Sequence, residues 1–129
     1  MERQIDVLIV DDQIKTRKGL KGLLRFTPLI EKIWEAQNGE DAMKIVSEVK
    51  PEVVLMDIKM PVMDGLEATR QIKQFWPEVK VIILTLFPSY RQEAFEAGAD
   101  YFLIKGDQNN TVQDVITSFF PVEAPSSEK

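Results

Sequence analysis

Short apolar runs alternate with longer amphipathic stretches along the chain. Five of these runs are rich in Val, Ile and Leu and are bounded by polar residues, a pattern typical of buried strands. They cover residues 7–10, 33–36, 53–56, 79–84 and 101–104. The chain is therefore predicted to contain five short strands.

A stretch with apolar residues at helical spacing follows each run. The predicted helices cover residues 14–26, 66–76 and 89–97, with a second helix running from a cap at Asn38 to residue 49 and a last one from Thr111 to residue 120. Ser89 is a further predicted cap, because it has capping-box spacing to the residue three positions on. Pro77 and Gly98 are expected to end the helices that precede them.

This alternation predicts the α/β fold class: a single doubly wound, five-stranded parallel sheet with five helices. Strands that are apolar on both faces and are joined by helices need helices on each side of the sheet. Residues 1–120 are expected to form this domain, and the polar, Pro- and Ser-rich residues 121–129 to be a flexible tail or the start of a linker. Ligands of such folds bind beyond the carboxyl ends of the strands.

Polar side chains follow the predicted strands at that edge. Asp11 and Asp12 come after the first strand, Asp57 after the third, Thr85 after the fourth and Lys105 after the fifth. Three carboxylates placed together repel one another and need a compensating positive charge. Lys105 and a Mg²⁺ ion would supply it, because Mg²⁺ prefers oxygen ligands. A carboxylate nucleophile beside Mg²⁺, a lysine and a threonine indicates phosphoryl transfer.

Composition excludes several other chemistries. The 129 residues contain no cysteine and no histidine, which removes disulfides, thiolate catalysis and the usual zinc ligands. The formal charge of −5 argues against nucleic-acid binding by this chain, because an acidic surface gains nothing from counterion release. The beginning of the chain does not have the pattern of a signal peptide, and no apolar run is long enough to span a membrane. A cytoplasmic location is expected.

Five motifs closely resemble those of the receiver domain of two-component response regulators. The resemblance spans about residues 5–120, and the D-I-K-M-P-x-M-D-G block is highly specific for this family. It implies a flavodoxin-like sheet in the order 2-1-3-4-5. The motifs are V-D-D at 10–12, M-D-I-K-M-P-V-M-D-G at 56–65, L-T at 84–85, G-A-D at 98–100 and F-L-I-K at 102–105.

The resemblance also implies a metal site and a phosphoacceptor. Asp57 would accept a phosphoryl group from the phosphohistidine of a sensor histidine kinase or a phosphotransfer protein. Asp12 would bind Mg²⁺ directly and Asp11 mainly through water, while Asp57 and the backbone carbonyl of Lys59 would complete the protein ligands. Such a domain is a signalling domain, not an enzyme in the ordinary sense, since it catalyses only its own phosphorylation and slow dephosphorylation.

The remaining implied roles concern the switch. Lys105 would pair with Asp57 and then with the phosphoryl group, Thr85 would donate a hydrogen bond to it, and Phe102 occupies the position of the family's rotating aromatic residue. The face formed by the fourth helix, fifth strand and fifth helix would then control a protein partner or an output domain. Whether this face forms a homodimer after phosphorylation is left open.

The sequence departs from the family pattern near the site. Gly106 stands where the family commonly has a proline, so the loop after Lys105 is expected to be less rigid. Leu86 replaces a small residue and is expected to crowd the phosphoryl site, and Phe87 and Lys59 are expected to shield it from water. Small-molecule phosphodonors should therefore label the protein slowly.

Other readings remain open from the sequence alone. A phosphatase of the haloacid dehalogenase type also uses Mg²⁺ and an aspartyl phosphate, but it places a D-x-D motif after its first strand, where this chain has D-D-Q. A dinucleotide-binding domain lacks support because no glycine-rich loop follows the first strand. A receiver that binds partners without being phosphorylated is disfavoured by the complete set of acids, Thr85 and Lys105.

Overall fold

Five strands and five helices alternate in the computed structural model, which describes residues 3–107 and 111–121. A short 3₁₀ turn, Pro88–Tyr90, precedes the fourth helix. The strands are β1 Ile5–Val10, β2 Ile30–Ala36, β3 Val53–Met56, β4 Lys80–Thr85 and β5 Tyr101–Ile104. The helices are α1 Ile14–Leu24, α2 Gly39–Val49, α3 Gly65–Phe75, α4 Arg91–Glu96 and α5 Val112–Phe119.

The strands form one parallel sheet in the order β2-β1-β3-β4-β5, as the resemblance implied. The chain order reverses beside β1, which pairs with β2 on one side and with β3 on the other. The ends of β1 and β3 therefore flank the point at which such a sheet opens a crevice for a ligand.

Two buried apolar clusters cover the two faces of the sheet. Along β1, Leu8 and Val10 belong to one cluster and Val7 and Ile9 to the other, because successive side chains of a strand point to opposite faces. All four side chains are at most 1% exposed. This two-sided burial explains why the central strands appear in the sequence as uninterrupted apolar runs.

Two of the three predicted caps are confirmed. The side chains of Asn38 and Thr111 each accept a hydrogen bond from the backbone N–H three residues on, at 2.8 and 3.1 Å. The prediction for Ser89 is wrong, because this residue lies inside the 3₁₀ turn and α4 begins only at Arg91, without a side-chain cap. The proline before Ser89 occupies the first position of the turn, where its fixed φ favours an early, tighter start.

Some boundaries differ from the predicted ones. Strand β2 begins three residues before the predicted position 33, because the charged Glu31 and Lys32 follow Ile30 at the edge of the sheet and interrupt the apolar run. Helix α1 ends at Leu24, and Phe26, which was counted as part of its apolar face, is 76% exposed. Pro77 and Gly98 follow the ends of their helices as predicted, and Gly98 has a φ of +105° that suits glycine.

Two remaining points concern the predicted tail and membrane-spanning helices. The expected tail, residues 121–129, lies outside the described residues except for Pro121. Within the described ranges, no helix combines the length and apolar character required to cross a bilayer.

Candidate functional site

The carboxyl ends of four strands bring the predicted site residues to one edge of the sheet. Asp57 follows β3 and donates its backbone N–H to the carbonyl of Val10 at the end of β1 (2.9 Å). Lys105 follows β5 and donates its backbone N–H to the carbonyl of Thr85, the last residue of β4 (2.8 Å). Hydrogen bonds between strands thus fix the backbone from which the functional side chains extend.

Three carboxylates meet at this edge. One oxygen from each of Asp11, Asp12 and Asp57 lies within 4.8 Å of the other two. Asp11 is buried, Asp57 is partly buried and Asp12 is exposed, so the cluster opens to solvent on one side. Carboxylate oxygens at such spacing, with room for water, suit a hard divalent cation such as Mg²⁺. The residues that the sequence singled out therefore fit that ion.

Lys105 provides positive charge to two of these acids. Its Nζ lies 2.8 Å from Oδ2 of Asp11 and 3.4 Å from Oδ2 of Asp57. The ammonium contacts Asp11 more closely than the acid with which the resemblance pairs it. Both carboxylates are largely shielded from water, with side chains 3% and 12% exposed, so a shared cation offsets repulsion between them.

In both Asp11 and Asp57, the carboxylate oxygen that does not face Lys105 accepts a backbone hydrogen bond. Oδ1 of Asp11 accepts from the N–H of Gln13 at 2.8 Å, and Oδ1 of Asp57 accepts from the N–H of Ile58 at 2.9 Å. These local bonds hold each carboxylate in one orientation. Oδ2 of both acids thereby faces Lys105.

The charge state of the cluster reflects competition between burial and pairing. Burial is the largest influence on Asp57 and raises the pKa of its carboxyl, with help from the negative charge of Asp11 and against the effect of Lys105. Burial acts in the opposite direction on Lys105, but its hydrogen bond to Asp11 and the charges of both acids prevail and raise the pKa of its ammonium. Lys105 thus remains charged at neutral pH, while the carboxyl of Asp57 is less acidic than an ordinary aspartate.

Thr85 lies beside this cluster and is almost fully buried, at 1% exposure. Its Oγ1 accepts a hydrogen bond from the backbone N–H of Phe87 (3.2 Å), two residues into the loop after β4. A hydroxyl can accept and donate at the same time. The Thr85 proton can thus be given to a group bound at the edge of the sheet, while the oxygen remains linked to the loop.

Two other predicted residues lie outside the carboxylate cluster. The Lys59 side chain is exposed, and its Nζ lies 4.7 Å from the ring centroid of Phe87. Phe102 on β5 is 5% exposed, and the guanidinium of Arg91 lies 5.8 Å from the centre of its ring. Phe87 belongs to the loop after β4, whereas Phe102 belongs to β5. Leu86, the residue expected to crowd the site, has a side chain that is 62% exposed.

Sequence reasoning missed two residues that support the site. Arg17 of α1 donates a hydrogen bond from Nη1 to the carbonyl of Asp11 (2.7 Å) and pairs through Nε with Glu35 of β2 (3.1 Å). In the sequence Arg17 is one of several Lys and Arg residues in the predicted first helix, and nothing in the pattern distinguishes it from them. Gly65 begins α3 so close to the backbone of Asp57 that a Cβ would lie 1.8 Å from the Asp57 carbonyl oxygen. Neither contact could be inferred from spacing along the chain.

The sheet order and the acidic cluster at its carboxyl edge define a flavodoxin-like α/β domain with a candidate divalent-metal site. The model of the response regulator receiver domain family matches residues 7–117. The chain belongs to this family, and it is a signalling domain of the kind found in response regulators.

Its relatives include transcriptional regulators of bacteria. The chain is 38% identical to the transcriptional regulatory protein DegU of Brevibacillus brevis over 106 residues, which are 81% of this chain and 45% of DegU. It is 40% identical to the transcriptional regulatory protein LnrK of Bacillus subtilis over 110 residues, 84% of this chain and 50% of LnrK. The chain thus spans about half the length of the curated relatives it matches.

Solved structures have the same architecture. A LuxR-family response regulator from Aurantimonas matches with a TM-score of 0.84 and 28% identity, over 90% of this chain and 84% of that one. The response regulator TrrA of Thermotoga maritima, solved in complex with Mg²⁺-BeF, matches with a TM-score of 0.81 and 29% identity, over 92% of this chain and 98% of TrrA. The sheet order predicted by the resemblance is therefore that of known receiver domains.

Proposed function

We propose that this domain accepts a phosphoryl group on Asp57 from the phosphohistidine of a sensor kinase or a phosphotransfer protein. The observation that carries the proposal is the meeting of three carboxylates with the ammonium of Lys105 at the carboxyl edge of the sheet. Phosphoryl transfer needs a nucleophile held in place and positive charge around the transferred oxygens. Asp57 is held by the N–H of Ile58, and Lys105 is close enough to supply that charge.

A magnesium ion would be held by Asp11, Asp12 and Asp57, with the backbone carbonyl of Lys59 as a further ligand. When bound, the ion would neutralise negative charge on the phosphoryl oxygens. Asp57 would supply the attacking oxygen, and Lys105 would exchange part of its contact with the acids for a contact with the phosphoryl group. Burial raises the pKa of the Asp57 carboxyl, so a cation bound beside it would favour the ionised form that transfer requires.

Thr85 and Phe102 would transmit the change to the surface. The Thr85 hydroxyl would donate to a phosphoryl oxygen, and its displacement would alter the loop to which its oxygen is bonded. Phe102 follows on the neighbouring strand and lines a pocket of about 300 Å³ between α4 and β5, together with Arg91. The α4–β5–α5 face is therefore the surface proposed to change its affinity for a partner, within the free-energy difference between the two arrangements.

The larger setting is also a proposal. Residues 1–120 would act as the receiver, and residues 121–129 as a flexible tail or the start of a linker to an output domain. The relatives are transcriptional regulators about twice as long as the matched region, so a DNA-binding output is favoured over direct DNA contact by this acidic chain. A cytoplasmic location, with a histidine kinase as the upstream partner, fits this role, and homodimerisation through the α4–β5–α5 face would be one form of output.

Mass spectrometry after incubation with a phosphorylated histidine kinase and Mg²⁺ tests the proposal. The parent should gain one phosphoryl group and Asp57→Ala none. Asp64→Asn is a matched control, because Asp64 is a carboxylate of the same loop that caps α3 and asparagine caps equally well. Phosphorylation of Asp57→Ala at the rate of the parent would reject Asp57 as acceptor. Continuous release of phosphate from a generic phosphoester would instead favour the phosphatase alternative.

A further inference from the structure

Arg17 links the first helix to the loop that carries two of the three acids. Its Nη1 donates to the carbonyl of Asp11 at 2.7 Å, and its Nε pairs with Oε1 of Glu35 on β2 at 3.1 Å. The Arg17 side chain is only 14% exposed, and no other donor to the Asp11 carbonyl is found within residues 3–107 and 111–121. Because Asp11 is buried, losing this hydrogen bond would leave a shielded carbonyl without a partner, at a cost in free energy.

The carbonyl that Arg17 binds belongs to the peptide that joins Asp11 to Asp12. A peptide unit is planar, so a hydrogen bond that fixes the direction of its carbonyl also fixes where the next residue begins. Arg17 therefore sets the orientation of the backbone from which the Asp12 side chain extends. The guanidinium is anchored at its other end, because Glu35 lies in the paired region of β2, opposite Ile9 of β1.

The two neighbouring acids differ in how their side chains are held. Asp11 has its own supports, since Oδ1 accepts from the N–H of Gln13 and Oδ2 pairs with Lys105. The side chain of Asp12 is exposed and, in the part of the chain that the structure describes, takes part in no hydrogen bond or ion pair. One of its oxygens nevertheless lies within 4.8 Å of an oxygen of each of the other two acids. The position of this oxygen thus depends on the backbone that Arg17 holds.

We propose that Arg17 is a positioning residue for the metal: by holding the peptide between Asp11 and Asp12, it places the Asp12 carboxylate for Mg²⁺ and raises the affinity of the site. The inference rests on the proposed function only in taking the three acids as magnesium ligands. Loss of a group that orients metal ligands typically lowers affinity by roughly 10- to 100-fold. We expect the lower end, because water from the open pocket of about 420 Å³ that Arg17 and Glu35 line can bind the carbonyl without anchoring it.

Positioning and a simple charge effect predict opposite results. Arg17 carries a positive charge beside a site proposed to bind a cation, so by repulsion alone its removal should strengthen Mg²⁺ binding. If Arg17 positions Asp12, its removal should weaken Mg²⁺ binding instead. A role in folding alone predicts a lower free energy of unfolding with no change in Mg²⁺ affinity. The sign of the change in affinity therefore separates positioning from both other roles.

The test measures the Mg²⁺ affinity of the intact chain from urea unfolding over a series of MgCl₂ concentrations at constant ionic strength. An ion that binds the folded state stabilises it according to the ratio of its concentration to Kd, so the series gives Kd and the stability without metal together. Arg17→Met removes both contacts of the guanidinium and should raise the Kd for Mg²⁺ about ten-fold. Lys18→Met removes one positive charge from the next, exposed position of the same helix and should not raise Kd.

A second variant keeps the test decisive if Arg17→Met does not fold. Arg17→Lys retains the charge but replaces the planar fork by a single nitrogen, so it should still bind Mg²⁺ more weakly than the parent. The positioning role would be overturned by a Kd of Arg17→Met at or below that of the parent, or by equal weakening in Lys18→Met. If only the lysine variant folds, binding equal to that of the parent would overturn it as well.

These outcomes would leave Asp57 as the proposed acceptor, because they concern only how the metal ligands are placed. A parent protein that gains no stability from Mg²⁺ would instead remove the proposed magnesium site, and the role of Arg17 along with it.

Discussion

Two glycine-to-alanine substitutions should change stability in opposite directions. At Gly65, the first residue of α3, the added Cβ would lie 1.8 Å from the Asp57 carbonyl oxygen, whereas ordinary contacts lie at 3.4–4 Å. The backbone cannot easily retreat, because the N–H of Gly65 donates to the carbonyl of Ile58 at 2.8 Å. Forcing such an overlap apart costs about 1–3 kcal/mol, with the upper end expected for a clash with backbone. Gly65→Ala should therefore be destabilised and should displace the peptide that carries Asp57.

At Gly22, in the interior of α1, a Cβ would meet no atom within 4 Å. Alanine is favoured over glycine in a helix interior by about 1 kcal/mol, so Gly22→Ala should be more stable than the parent. The two variants should differ by about 3–4 kcal/mol, which corresponds to roughly 10 °C or more in Tm for a domain of this size. Urea unfolding followed by circular dichroism measures the difference, and Mg²⁺ binding should weaken only in Gly65→Ala. An unfolding midpoint of Gly65→Ala equal to that of the parent would refute the close approach of α3 to the Asp57 peptide.

Three further predictions concern the site and its neighbouring loop. Because burial raises the pKa of Asp57 above 3.8, the folded metal-free protein holds this proton more tightly than the unfolded chain and loses stability as the pH rises through the raised pKa. Asp57→Asn should therefore have a higher free energy of unfolding than the parent at neutral pH, measured by urea unfolding. This difference between variant and parent should shrink as the pH is lowered toward 4, and a constant difference would contradict the prediction. Lys105→Met leaves the buried carboxylate of Asp11 without its cation and should lower the unfolding free energy by about 3 kcal/mol in the same assay. Mg²⁺ should restore part of this loss, and equal stability of the variant with and without the ion would argue against a shared metal site. Val62 is 76% exposed and has a φ of +71°, which strains a β-branched residue, so Val62→Gly should raise the unfolding free energy by roughly 1 kcal/mol, and a lower value would refute the strain.

The regular alternation of the chain was sufficient to predict the class of fold, while the order of the strands came from the family resemblance. Strands buried on both faces must be apolar at every position, and the helices that cover them must be apolar on one side only, so both patterns are visible without a structure. The edge strand β2 was placed less accurately, because only part of an edge strand is buried and its charged residues hide its beginning. The start of α4 was misplaced because Ser89 had the local spacing of a cap, while the neighbouring proline favoured a 3₁₀ turn.

The sequence predicted which residues would meet at one edge of the sheet, but not how their side chains would pair. A parallel sheet places the carboxyl ends of β1, β3, β4 and β5 at one edge. Asp11, Asp57, Thr85 and Lys105 could therefore be grouped from their positions at the ends of apolar runs. The preference of Lys105 for Asp11 over Asp57 was not predictable, because it depends on differences of less than 1 Å between side chains that are far apart in sequence.

The sequence by itself determined the class of fold, the edge at which the three acids and Lys105 meet, and the family to which the chain belongs. Tertiary structure decided that Arg17 supports the Asp11 backbone, that only glycine can begin α3 beside Asp57, and that Lys59 lies over the ring of Phe87. The reason is physical: periodic burial leaves a record in every residue of a strand or helix, whereas a contact between two loops depends on how the packed elements place their ends in space.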